Sequence, residues 1–95
     1  MQNYKKLHKT ASAGFEQKND AFITVAPAQA GSGIQINLTS PAMLQFGKHI
    51  RNLIMQVIEE KGFSDIILDI KDQGAWDYTI KARTITALER GMQHE

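Results

Sequence analysis

The sequence predicts a small α+β fold of order ββαββα, in which a four-stranded antiparallel sheet carries two helices on one face. Two patterns support this class. A long amphipathic helix occupies the middle of the chain, and short segments of alternating apolar and polar residues flank it on both sides. Such segments form sheets with one buried and one wet face, and the helices cover the buried face. With 95 residues, one domain is expected.

The central helix is predicted over residues 39–61. Its inward face is predicted from apolar residues at helical spacing: Phe46, Ile50, Leu53 and Val57, with Ile54 and Ile58 widening the stripe. Ser40 is suited to accept hydrogen bonds from the first free amides, and Gly62 is suited to the left-handed turn that ends a helix. Gly47 is costly inside a helix, by about 1 kcal/mol against alanine. We therefore expect a strand or a partner to approach the backbone closely there.

Two strands are predicted before this helix. Residues 21–26 are rich in β-branched and aromatic residues and end at Pro27, which cannot donate to a sheet. Residues 34–38 alternate cleanly between apolar and polar side chains. A short glycine-bearing loop joins the two segments, which favours an antiparallel hairpin.

A second hairpin is predicted after the helix. Residues 64–71 form one strand, Gly74 supplies the positive φ of a tight turn, and residues 76–82 alternate as a second strand. A helix starting at Trp76 is the alternative for that last segment. From Arg83 onward the apolar period becomes helical, which predicts a short closing helix that frays at residues 94–95.

The N-terminal segment is polar, basic and rich in small residues. We predict that residues 1–19 form a flexible N-terminal segment and that residues 20–92 form a single α+β domain. A basic arm that binds RNA is the sharper interpretation of the lysines in this segment, against the ordinary one of a solvated tail.

Composition excludes several function classes. The chain has 11 basic and 10 acidic residues, a net charge of +1 and no cysteine. A nucleic-acid-binding charge excess, a thiolate metal site and a thiol nucleophile are therefore not expected. No apolar stretch approaches the ~20 residues that span a bilayer. We expect a cytoplasmic protein with no nucleic-acid or membrane partner.

Candidate catalytic residues are sparse. The three histidines have no metal-ligand spacing, and a metal site is not predicted. Asp69, Asp72 and Asp77 cluster near the second predicted turn, where solvated or amide-bonded carboxylates are the ordinary interpretation and a general-acid pair is the alternative. Three cations are candidates for a surface that meets phosphate or an acidic partner: Lys48, Arg51 and Arg83. A salt-bridged surface with Glu59, Glu60 and Asp72 is the ordinary interpretation. The lack of an evident active site favours a carrier or binding module over a free-standing enzyme.

Several short motifs, taken in order, resemble one family from about residue 9 to residue 91. They are Ala13-Gly14, Asp20, Ile23-Thr24-Val25, Gln45-Phe46-Gly47, Ile50-Arg51, residues 72–77 and residues 79–84. The chain resembles the acyl carrier protein, or gamma subunit, of citrate lyase. The acyl carrier of malonate decarboxylase is a more distant relative with a similar second hairpin.

This resemblance implies a non-catalytic carrier subunit. The family's protein holds a phosphoribosyl-dephospho-CoA group through a phosphodiester to a serine, and the arm carries an acetyl or citryl thioester. Its partners are the citrate lyase alpha (transferase) and beta (lyase) subunits, which exchange acetyl for citrate and split the citryl group to oxaloacetate. A tethered thioester raises the effective concentration at both active sites.

The sequence departs from the family at the attachment position. Lys18 stands where the resemblance places the serine, and residues 15–19 contain no hydroxyl. Lysine cannot form a phosphodiester. Ser12 is a weak alternative, since six residues of extended chain span up to ~20 Å. The sequence leaves open an unmodified interaction or regulatory module, attachment at another residue, and a malonate decarboxylase-type carrier.

Overall fold

The computed structural model describes residues 4–93. Within this range the elements follow in the order βββαβα, with these bounds: β1 (Ala11–Gly14), β2 (Ala21–Pro27), β3 (Ile34–Thr39), α1 (Met43–Glu60), β4 (Ile66–Asp72) and α2 (Asp77–Gly91). The predicted α+β class, with a four-stranded sheet and two helices, is confirmed. The predicted order of elements is wrong in two places, at β1 and at the start of α2.

The sheet is mixed rather than antiparallel. Its strand order is β1-β2-β4-β3, and β4 pairs antiparallel with β2 and parallel with β3. The predicted β2–β3 hairpin is therefore wrong. Helix α1 carries the chain from β3 back to β4, and such a crossover makes its two strands parallel. The apolar alternation of β4, through Ile66, Leu68 and Ile70, is buried on one face and suits a central strand.

The N-terminal segment contributes to the fold. Residues 11–14 form β1, which pairs antiparallel with β2. Leu7 and Ala13 are buried in the core, so the folded unit begins well before the expected boundary at residue 20. Small residues hide this strand, because they give no apolar alternation to detect. The flexibility of the segment stays a prediction, and its residues 1–3 lie outside the described range.

The second predicted hairpin is wrong, because the segment after Trp76 is helical. Trp76 and Tyr78 are 67% and 70% exposed. The inward residues of α2 recur at helical spacing: Ile80, Thr84, Ala87, Leu88 and Gly91. Residues 76–82 also alternate between apolar and polar side chains at every position, and this alternation favoured the strand. Gly74 has the predicted positive φ, +87°, but it joins a strand to a helix. The predicted fraying at residues 94–95 lies outside the described range.

Helix α1 presents a slightly different face to the core than the sequence predicts. Its buried residues are Gly47, Ile50, Ile54, Val57 and Ile58. Phe46, expected to point inward, is 52% exposed. The close strand approach expected at Gly47 is also wrong within residues 4–93, since a Cβ there would contact only the Met43 side chain, at 3.8 Å. Gly62 ends the helix with the predicted left-handed φ, +79°.

The core lies between one face of the sheet and the two helices, which also contact each other. Asp65 fixes the loop between β2 and β3, because its carboxylate accepts hydrogen bonds from the amides of Gly31 and Gly33 at 3.1 and 3.0 Å. Those two bonds hold the pKa of Asp65 below its ordinary value. Within residues 4–93, neither helix is long and apolar enough to cross a membrane.

Candidate functional site

The turn between β1 and β2 displays residue 18. Lys18 is exposed, and it is followed by Asn19 in the left-handed region at φ +66°. The turn begins at Gly14, with φ +88°, where a Cβ would collide with the carbonyl oxygen of Ala21. Glycine is therefore required at this position, both for its positive φ and for the close backbone approach.

A buried carboxylate ties this turn to α2. Asp20 accepts two hydrogen bonds from Arg83, at 3.1 Å from Nε and 3.0 Å from Nη2. The hydrogen bonds from Arg83 hold the pKa of Asp20 below its ordinary value, and they raise the pKa of Arg83. Arg83 is thus committed to an internal ion pair.

Backbone hydrogen bonds fix the same turn to the loop between β4 and α2. The Asn19 amide donates to the Gln73 carbonyl at 2.7 Å, and the Gln73 amide donates to the Asp20 carbonyl at 2.9 Å. Residue 18 therefore lies in a turn that hydrogen bonds hold in place. It comes one residue before Asn19, which bonds to the loop between β4 and α2.

A cleft of about 670 Å³ opens beside the turn, between the start of α1 and the start of α2. Asn19 lines the cleft, so the cleft and the turn share a wall. Exposed aromatic side chains line it from both helices: Phe46, Trp76 and Tyr78. His49 Nε2 lies 2.6 Å from the carboxylate of Asp77 across the cleft, joining α1 to α2.

The three candidate carboxylates have structural partners. Asp72 is buried, accepts hydrogen bonds from the Gly74 and Ala75 amides at 3.2 and 2.9 Å, and accepts one from the Ser40 hydroxyl at 2.7 Å. Asp69 accepts a hydrogen bond from the Asn37 side chain at 2.9 Å. Residues 4–93 contain no group of three or more His, Cys, Asp or Glu side chains that could hold a metal.

The structure separates the other predicted site residues. Ser12 lies within β1, is half-buried and is paired with Thr24, six residues before the tip of the turn. Lys48 is exposed on α1. Arg51 donates to the Ile36 carbonyl at 2.7 Å, at the β3 edge of the sheet, whereas Arg83 faces the β1–β2 turn. Sequence analysis missed the aromatic cleft, because it placed Phe46 inside the core and Trp76 in a strand.

Sequence comparison shows the family to which the chain belongs. A citrate lyase acyl carrier protein from Halothermothrix orenii is 44% identical over 85 residues, which cover 90% of this chain and 88% of the relative. One from Latilactobacillus sakei is 39% identical over 90 residues, covering 95% and 87%. The acyl carrier protein model described as malonate decarboxylase delta subunit (MdcD) matches residues 8–91. The chain belongs to this acyl carrier protein family.

The fold of the family also recurs in a solved structure. A chain of a Pseudomonas malonate decarboxylase hetero-tetramer in complex with malonate superposes with a TM-score of 0.71. The match covers 95% of this carrier-family chain and 91% of the other, at 18% sequence identity. At this identity the likeness establishes a shared fold. The resemblance to citrate lyase acyl carrier proteins, read from short motifs, is confirmed.

Proposed function

We propose that the chain is a carrier-type subunit of a citrate lyase or a closely related complex, and that it is not itself catalytic. The observation that carries this proposal is the identity of 44% to a citrate lyase acyl carrier protein over nine-tenths of the chain. The proposed partners are the alpha (transferase) and beta (lyase) subunits, and the proposed location is the cytoplasm.

The prosthetic group expected for the family does not fit the turn of this chain. Phosphoribosyl-dephospho-CoA would be joined by a phosphodiester, which requires a hydroxyl. Residue 18 is a lysine, and no residue from 15 to 19 has a hydroxyl. An amine would give a phosphoramidate, which is a different and more labile linkage.

Ser12 is a poor substitute for the missing hydroxyl. Its backbone is held in the β1–β2 pairing, and its carbonyl accepts a hydrogen bond from Arg90 at 2.9 Å. A transferase would meet a half-buried strand residue there instead of an exposed turn. We propose that the chain keeps the carrier's place in the complex without a phosphodiester-linked arm, as an interaction or regulatory subunit.

Membership of such a complex is tested by co-expression of the tagged chain with the transferase and lyase subunits of the same organism. We expect the larger subunits to co-purify with the tagged chain and to elute with it in size-exclusion chromatography. An untagged chain serves as the control for nonspecific retention. Failure of both larger subunits to co-purify would contradict the proposal.

A further inference from the structure

Exposed aromatic side chains form an apolar surface around the cleft. It consists of Phe46, Trp76 and Tyr78, and we call it the aromatic patch. We propose that the aromatic patch docks a larger subunit of the complex, through a partner surface that is apolar and bordered by carboxylates. This inference rests on the proposed function and names the surface of the chain that would serve it.

The side chains of the patch are largely exposed to solvent. Tyr78 and Trp76 are about two-thirds exposed, and Phe46 is about half exposed. Phe46, Trp76 and Tyr78 line one cleft, so the exposed residues are contiguous instead of scattered. Single exposed apolar residues need no explanation, but a contiguous set rich in Trp and Tyr is typical of interaction surfaces.

The position of the patch suits a carrier-type subunit. Asn19 follows residue 18 and lines the cleft with the aromatic side chains. A partner seated on the patch would therefore lie against the turn. A carrier must present its attachment turn to the partner, so its docking surface has to adjoin that turn. A loss of the attached group would leave this surface intact.

The charge beside the patch favours an acidic partner. Lys18 is exposed and forms no ion pair within residues 4–93. It precedes Asn19, which lines the cleft. The nearby carboxylates are already engaged: Asp77 contacts His49, and Asp72 is buried among amides. A second copy would bring like charges together across a two-fold interface, so carboxylates on a different subunit complement this rim better.

The test measures the affinity of the purified chain for the isolated transferase and lyase subunits by biolayer interferometry. We expect Phe46→Ser and Trp76→Ser each to weaken binding to one of them about tenfold or more, because truncated hot-spot residues dominate interface energies. Tyr4→Ser is the matched control: Tyr4 is 55% exposed and lies by Met55 and Phe63, toward the other end of α1. Thermal melting checks that each variant folds.

The contribution of positive charge beside the patch is tested by a second pair of variants, one near the cleft and one far from it. Lys18→Glu should weaken binding, and the loss should shrink at high salt, because exposed charges are screened. Lys61→Glu, at the far end of α1, should bind as the unaltered chain does.

Three outcomes are distinguishable. If the unaltered chain binds neither larger subunit, the proposed function fails together with this inference. If it binds and the patch variants bind equally well, the docking surface is overturned while the proposed function stands. If the isolated chain elutes as a dimer that Trp76→Ser dissociates, the patch joins two copies and the inference is overturned.

Discussion

Arg83 donates two hydrogen bonds to Asp20, one to each carboxylate oxygen, and so joins α2 to the turn that displays residue 18. The two residues are 63 positions apart in sequence. The Asp20 side chain also accepts a hydrogen bond from the Ala21 amide at 2.7 Å. Bidentate hydrogen bonds between charged groups are stronger than neutral hydrogen bonds, and this pair therefore fixes the turn.

Acid should weaken the fold through Asp20. Its folded pKa is lowered, first of all by the Arg83 hydrogen bonds, so the stability it contributes is complete above the unfolded pKa of about 4. That stability is lost as the pH falls through the folded pKa. Chemical denaturation between pH 7 and pH 2 should show Asp20→Asn less stable than the unaltered chain at pH 7, with the difference vanishing at low pH. A difference that grows at low pH would contradict the assignment.

The pair itself is tested by a double-mutant cycle with Asp20→Asn and Arg83→Gln. Because each substitution breaks the same contact, the effects should not add, and we expect a coupling free energy above about 0.5 kcal/mol in urea denaturation at pH 7. Additive losses would show that the two side chains contribute independently.

Gly47→Ala should stabilise the chain. The position is helical, a Cβ there meets only Met43 at ordinary contact distance, and alanine is better than glycine in a helix by about 1 kcal/mol. Urea denaturation should show a gain of roughly that size. An unchanged or lower free energy of unfolding would indicate an approach to this backbone that residues 4–93 do not contain.

Gly91→Ala should have the opposite effect. A Cβ at this position would lie 2.7 Å from the Leu7 side chain and 3.2 Å from the Lys9 carbonyl oxygen. Overpacking of this kind typically costs about 1–3 kcal/mol. A loss of that size in urea denaturation would support docking of the N-terminal segment on the end of α2, whereas a neutral result would favour the flexible segment expected from sequence.

The sequence predicted the elements that have long apolar periods. Helix α1 and the strands β2, β3 and β4 were found within a few residues, because their buried positions carry large apolar side chains. The start of α2 was missed because residues 76–82 alternate between apolar and polar side chains, as a strand does. Strand pairing was also missed, since alternation fixes which face is buried and leaves the neighbouring strand undetermined.

The candidate site was only partly predictable. The resemblance implies residue 18 as the family's attachment position, and the structure presents this residue on an exposed turn. The Asp20–Arg83 contact depends on two elements distant in sequence, so no local pattern could reveal it. The aromatic patch was hidden by the assumption that Phe46 belongs to the core. Gly47, one residue later, occupies the buried face instead.

The absence of a phosphodiester-linked arm at residue 18 is tested most directly by intact-protein mass spectrometry. The unaltered chain and Lys18→Ser are each co-expressed with the prosthetic-group transferase of a citrate lyase system. We predict no mass gain for the unaltered chain and a gain equal to the prosthetic group for Lys18→Ser, located on residue 18 by peptide mapping. A gain on the unaltered chain, at Ser12 or elsewhere, would contradict the account.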